Sequence, residues 1–379
     1  MPTLSALFGQ EAALGAVRRV LEADSLPGTY LLIGPPGVGK GMFARAFGQA
    51  AACLNPIAQP FDACGVCESC RRVETDSQPE ILTLQPFGGQ LQIWQFWDRD
   101  NRPAGALSKT LNFAPAIGRK RVYIIDQADT LTESAANSLL KALEEPPPYA
   151  LFLLLAPHAA RVLPTILSRS QTIRLRPVPV EILTRYLIAS HNVEPLRAAT
   201  LAAYSEGRIG QAVQLALHPE VGEEIARVLD FAESLSGASP VRALRLAENL
   251  RKLAGQLKAF AGGETTARSK GKAEDAEEES GTKERAGRRQ LATLFDLLLL
   301  FYRDLMALCI GGDATRSLVN RERATAWARL AQRGTPERWM RSQEALLLAR
   351  RRLDANANIN MVTEVLVMSL LAEPDAGAR

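Results

Sequence analysis

The sequence predicts an α/β fold with a parallel sheet, continued by helical segments. Three observations predict it. Short apolar runs alternate with helically spaced stretches through residues 1–177, a glycine-rich loop follows the first of these runs, and beyond Pro177 the strand-like runs cease. Strands separated by helices need crossover connections, which bring the strands parallel and cover both faces of the sheet.

Taken in order, Thr29–Ile33 is a short apolar strand ending at Gly34, and Met42–Cys53 is Ala-rich with helical spacing. Arg121–Asp126 reads as a second strand, Ala135–Glu144 as a helix and Leu151–Leu155 as a third strand. Pro146, Pro147 and Pro148 separate the last two, because proline lacks the N–H a helix needs and disfavours helix in the residue before it. Val180–His191, Arg197–Ser205 and Gly210–His218 predict a small helical domain over 178–218. Residues 219–379, rich in Ala, Leu and Arg, predict a C-terminal helical bundle. Within the bundle, 261–289 holds Gly, Ser, Thr, Glu, Lys and Arg with almost nothing to bury. Such a segment cannot offset its ordering entropy, so a disordered insertion is expected there.

A chain of 379 residues suits two or three domains, and 47% hydrophobic with 23% charged residues is the balance of a globular protein with a sizeable core. The apolar run Leu294–Met306 is broken by Asp296, Arg303 and Asp304, so it predicts a packed helix and not a membrane span. Met1–Gln10 has no basic stretch followed by an apolar one, which leaves the cytoplasm as the expected compartment. A net charge of +4 does not by itself indicate nucleic-acid binding; contact with DNA would need a local patch or a larger assembly.

Gly34-Pro35-Pro36-Gly37-Val38-Gly39-Lys40 follows a strand and opens a helix, which is the spacing of a phosphate-binding loop. The glycines let backbone N–H groups turn inward, the helix N-terminus supplies partial positive charge, and Lys40 reaches the outer phosphates. The next position, where such loops carry a Ser or Thr for magnesium, is Gly41, which has no side-chain oxygen. An apolar strand ending in Asp126 supplies the usual second half of a magnesium–nucleotide site. Gln127 follows it, and a neutral amide is a poor base for activating water.

Cys53, Cys64, Cys67 and Cys70 are spaced C-x10-C-x2-C-x2-C. In a reducing compartment this clustering predicts a metal before a disulfide, and four thiolates suit a closed, tetrahedral, structural zinc site. An iron–sulfur cluster also takes four cysteines, and incidental thiols are the plain alternative. Cys309, alone in an apolar stretch, is expected in the core.

Several blocks resemble the clamp-loader branch of the AAA+ proteins. They are Leu7-Phe8-Gly9-Gln10-Glu11, the phosphate loop, Ile125-Asp126-Gln127-Ala128-Asp129, the stretch from Asn137 to Pro147 (NSLLKALEEPP) and the stretch from Leu163 to Ser170 (LPTILSRS). The likeness covers about residues 1–215, with a weaker one at Asn356–Leu370. It implies an AAA+ module with a zinc module inserted after the phosphate-loop helix, a helical lid, and a C-terminal oligomerisation domain. It also implies that Arg169 reaches the ATP of a neighbouring subunit, although Ser170 stands where the family has cysteine. A permanently charged, planar guanidinium suits that task.

Two further family positions are altered: Ala156-Pro157-His158 replaces a polar phosphate sensor, and Gly210 falls where the lid offers an arginine, with Arg208 two residues away. The resemblance therefore implies a non-motor subunit, with nucleotide at Gly34, Gly37, Gly39, Lys40 and Asp126 and little hydrolysis. The implied partners are gamma/tau motor subunits and a delta subunit, with the sliding clamp and primed DNA reached through the assembly. An active gamma/tau-like ATPase is the alternative, kept open by Lys40 and Arg208. Two segments carry weaker expectations: Gln92–Arg99 is expected to form a strand with Trp94 and Phe96 on one face, and Arg350-Arg351-Arg352 a solvated helix face.

Overall fold

The computed structural model describes residues 3–23, 28–75, 78–98, 105–218, 220–236, 238–257, 276–312 and 318–371, with backbone alone for 276–285. Two compact units divide the chain, one comprising Met1–Tyr186 with Glu206–Gly210 and the other Leu187–Ser205 with Gln211–Arg379.

The first unit is built on five strands: β1 (Thr29–Ile33), β4 (Ile81–Leu84), β5 (Arg121–Ile125), β6 (Ala150–Ala156) and β7 (Gln171–Arg174). Their order is β4-β5-β6-β1-β7, and every pairing is parallel. Strands β1, β5 and β6 are buried along their whole length. Successive side chains alternate between the faces, so each strand feeds two cores. Tyr30, Leu32, Val122, Ile124, Leu151, Leu153 and Leu155 meet Phe43 and Phe47 of α2 (Lys40–Ala52) on one face. Leu31, Ile33, Tyr123, Ile125, Phe152 and Leu154 meet Leu139 and Leu143 of α6 (Glu133–Glu144) on the other. Tyr123 stacks on Phe152 with centroids 4.9 Å apart. The uninterrupted apolar reading of these strands is what burial on both faces requires.

A buried ion pair fixes the sheet's outer part. Glu80 and Arg121 are almost wholly buried and meet at 2.6 Å. The other Glu80 oxygen accepts from Ala116 N–H at 2.7 Å, while Arg121 donates to the carbonyls of Thr110, Phe113 and Ala114. The pair thus saturates one another and ties the 110–117 loop to β4 and β5. Near the N-terminus, the buried Asp62 carboxylate accepts from Leu4 N–H (2.9 Å), Ser5 N–H (2.8 Å) and Ala63 N–H (2.7 Å).

The second unit is helical. Its long helices include α11 (Val221–Leu235), α12 (Ala243–Gly255), α13 (Ala276–Ile310), α15 (Pro336–Asp354) and α16 (Ile359–Leu371). Leu294, Phe295, Leu298, Phe301 and Leu305 of α13 are buried, so the apolar run is a packed helix as expected. Among the described residues no helix is long and apolar enough to cross a membrane. Asp304 of α13 is buried and accepts from Val319 N–H, Asn320 N–H and the Asn320 amide.

Four expectations need correction. Of the segment expected to be disordered, 261–275 lies outside the described residues, but from Ala276 onward the chain is helical. Ala, Glu, Lys and Arg are strong helix formers, and continuity with the buried part of α13 removes the nucleation cost. Residues 93–96 form a single helical turn and not a strand, because Gln92 and Gln95 cap one another reciprocally; Arg99 lies outside the described residues. Arg350 is not merely solvated: it donates to the Ala292 carbonyl at 2.7 Å and pairs with Asp296 at 2.8 Å, while Arg351 and Arg352 are exposed. Cys309 is half-buried, with its thiol 3.6 Å from the Gly334 carbonyl.

Glu80→Ala leaves a buried guanidinium unpaired and is expected to destabilise the chain by about 3–5 kcal/mol. Urea unfolding followed by circular dichroism measures it; an unchanged midpoint would show that the pair carries no such weight.

Candidate functional site

Because the five strands are parallel, the loops that follow β1, β5 and β6 gather at one edge of the sheet, where ligands of α/β folds bind. The phosphate loop leaves β1 there. Its conformation demands glycine: Gly37 (φ 79°) and Gly39 (φ 96°) are left-handed. A Cβ at Gly34 would stand 2.7 Å from the Leu175 carbonyl oxygen. Lys40 opens α2 and donates to the carbonyls of Gly34 (2.7 Å) and Pro35 (3.1 Å). Burial lowers the Lys40 pKa, and the facing carboxylates of Asp126 and Asp129 oppose that shift.

Asp126 follows β5, and its carboxylate accepts from Gln127 N–H at 2.9 Å. Gln127 is exposed and left-handed (φ 53°). A Cβ at Gly41 would meet nothing within 4 Å, so the absent hydroxyl is a matter of chemistry and not of space. Sequence reasoning missed the cover over the loop. Gly210 N–H donates to the Gly37 carbonyl at 3.1 Å, and the Arg208 side-chain stem would lie 3.4 Å from a Cβ at Gly37. Arg208 also pairs with Glu206 at 3.1 Å. The available signal was Arg208, two residues from the position where the lid arginine is expected.

Arg169 follows the turn α7 (Pro164–Leu167), which begins on a proline whose fixed φ suits a helix start. Its Nε donates to Glu144 Oε2 at 3.1 Å, and its Nη1 to the Thr165 carbonyl (3.2 Å) and Ser168 Oγ (3.3 Å). The Glu144 contact was not foreseen, since its helical position indicated only that it stays polar.

The four cysteines converge. Cys53 ends α2, Cys64 follows the hairpin of β2 (Ile57–Ala58) and β3 (Phe61–Asp62), and Cys67 and Cys70 flank the start of α3 (Glu68–Glu74). From Cys53 the sulfurs of Cys64, Cys67 and Cys70 lie at 3.6, 3.8 and 3.7 Å, and all four lie within 4.8 Å of one another. A tetrahedron of thiolates with metal–sulfur bonds of about 2.3 Å has edges of about 3.8 Å, so the donor set fits a four-coordinate ion. Gly65 (φ 74°) makes the turn between ligands.

Burial pushes the Cys53 and Cys70 thiols above their ordinary range. Burial acts the same way on Cys67, but hydrogen bonds from the Cys70 and Leu54 N–H groups and from neighbouring thiols outweigh it and bring that group down to about 6. Trp97, beside the capped turn, donates from Nε1 to Ser138 Oγ at 3.1 Å and packs against the sheet core.

The family described as DNA polymerase III, delta subunit matches residues 9–179. DNA polymerase III subunit delta′ of Bacillus subtilis is 29% identical over 350 residues, which are 92% of either chain. The chain is thus similar to clamp-loader subunits of bacterial DNA polymerase III. DNA polymerase III subunit tau of Escherichia coli is a further relative, 32% identical over 219 residues, 56% of this chain and 32% of that protein. Among clamp-loader relatives, then, the likeness to delta′ runs the length of both chains, whereas this chain spans about a third of tau. A solved gamma subunit-related protein of Thermotoga maritima is 16% identical with a TM-score of 0.39, over 94% of this chain and 98% of that one.

A metal-free preparation is expected to take up one divalent ion per chain and to release protons as it does, since Cys53 and Cys70 must ionise to bind. Elemental analysis and proton release in weak buffer measure both. Four freely reactive thiols after addition of zinc would exclude the site.

Proposed function

We propose that this chain is the non-motor subunit of the bacterial sliding-clamp loader in DNA replication, donating Arg169 to the ATP site of a neighbouring gamma/tau motor subunit. The observation that carries this reading is an asymmetry. The chain's own nucleotide site lacks a metal-ligating hydroxyl at Gly41 and a base at Gln127, while the Arg169 guanidinium keeps N–H groups to give. A gamma-phosphate stabilised by an arginine from outside needs only that donated charge.

In this reading Gly34, Gly37, Gly39, Lys40 and Asp126 hold a nucleotide weakly, and hydrolysis here is slow. The four cysteines hold a structural Zn2+ in a module of about residues 53–70. Residues 178–218 act as the lid and 219–379 as the oligomerisation domain. The exposed Met361, Val365 and Met368, spaced along one face of α16, support a protein partner there. The delta subunit, the sliding clamp and primed DNA are met through the assembly, in the cytoplasm, as part of the polymerase III holoenzyme. A gamma/tau-like ATPase is the second reading, favoured by Lys40 in the loop and by the Arg208 stem beside Gly37.

Two measurements separate them. In a reconstituted loader, Arg169→Ala is expected to lower clamp- and DNA-stimulated ATP turnover while the complex still assembles; an unchanged rate would remove the donor role. The isolated chain is expected to turn over ATP far more slowly than a motor subunit. Gly41→Thr, which the open space admits, is expected to tighten nucleotide binding only when Mg2+ is present, as titration calorimetry with and without the metal would read. Equal affinity in both conditions would show that position 41 is not what weakens the site.

A further inference from the structure

We propose that Glu144 is the positioning residue of the Arg169 finger, holding the guanidinium so that its remaining Nη2 group is ready for a neighbour; this rests on the donor role proposed above. A guanidinium has five N–H donors in a fixed plane. Here Nε is taken by the Glu144 carboxylate at 3.1 Å, and Nη1 by the Thr165 carbonyl (3.2 Å) and Ser168 Oγ (3.3 Å). The two hydrogens of Nη2 have no partner among the described residues, and the side chain is only partly exposed, at 31%. Two of the three guanidinium nitrogens are therefore anchored within the subunit, and Nη2 is left for a ligand.

The anchor points are themselves fixed. Glu144 is the last residue of α6, whose body is buried in the sheet core, and Pro146 prevents the helix from continuing. Thr165 and Ser168 belong to the turn of α7, closed by Ser168 N–H to the Pro164 carbonyl at 3.0 Å and Arg169 N–H to the Ile166 carbonyl at 3.2 Å. A long side chain that would otherwise sample many rotamers is thereby confined before the neighbour arrives, and that confinement is the usual source of effective positioning. Glu145, the adjacent carboxylate, has no hydrogen bond or ion pair to Arg169 among the described residues and serves as the control.

The test is ATP turnover by the loader assembled with its motor and delta subunits, the clamp and primed DNA. Glu144→Ala is expected to lower kcat about tenfold while the KM for ATP moves less than about twofold, since misplacement of a positioned group falls on the chemical step. Glu144→Gln keeps an acceptor oxygen and is expected to retain most of the rate, with Glu144→Asp between the two and Glu145→Ala at the unmodified level. The decisive arm is the pair: Glu144→Ala combined with Arg169→Ala is expected to turn over no more slowly than Arg169→Ala alone, because Glu144 acts only through the arginine. A Glu144→Ala rate equal to that of the unmodified loader, or a loss that adds in full to that of Arg169→Ala, overturns the proposal. If Arg169→Ala itself is without effect, the donor role fails first and the positioning role fails with it.

Discussion

Five strands running in one direction bring the loops after β1, β5 and β6 to one edge of the sheet. The phosphate loop, Asp126 and Pro157 all depend on that arrangement. Parallel pairing also forces the central strands to be buried on both faces, and it therefore sets the composition of the first 177 residues. Tyr30, Tyr123 and Phe152 lie within the layers that this geometry creates. The Glu80–Arg121 pair extends the same frame outward to β4, where burial alone would leave the 110–117 loop unattached.

The cysteine cluster bears on the frame as well as on any metal it would hold. Asp62 stands on its small hairpin and accepts from the backbone of Leu4 and Ser5, so the N-terminal segment is pinned by a residue two positions before Cys64. A tetrahedral ion would therefore stiffen more than its own loop. Leu4 in turn is fully buried against the α2 side of the sheet. The module is thus coupled to the core through backbone hydrogen bonds and through Cys53 at the end of α2.

What the sequence revealed followed from period and spacing. The runs at Thr29–Ile33 and Arg121–Asp126 read as strands because their continuous apolar character has one structural solution in a parallel sheet. The convergence of the four cysteines was legible because their close spacing along the chain is one that lets four thiols meet. Contacts between residues far apart in sequence left no such trace. Glu144 and Arg169 are separated by a strand and a turn, and nothing in either motif states that they meet. Gly210 N–H reaching the Gly37 carbonyl is equally silent in the sequence. The short turn at 93–96 was misread because its order comes from two reciprocal amide caps, a local effect that period-two alternation of Trp94 and Phe96 conceals.

The survival of a phosphate loop in a site without its metal ligand or its base has a physical account. Gly34 cannot carry a side chain because the Leu175 carbonyl occupies that space, and Gly37 and Gly39 have backbone angles that side chains strain. Lys40 satisfies two carbonyls of the loop whether or not a phosphate is present. These four residues are therefore bound into the fold. A Cβ at Gly41 would touch nothing, and Gln127 is exposed, so neither of these two altered positions needs a particular side chain for packing. A retained loop is thus weak grounds for hydrolysis, whereas the two altered positions speak directly to chemistry. Arg169 presents the opposite case. Holding Nε and Nη1 within the subunit does not require an arginine for packing, since the side chain is partly exposed and the turn of α7 closes through its own backbone. In the role proposed for Arg169, its Nη2 donors would be offered to a phosphate outside the chain.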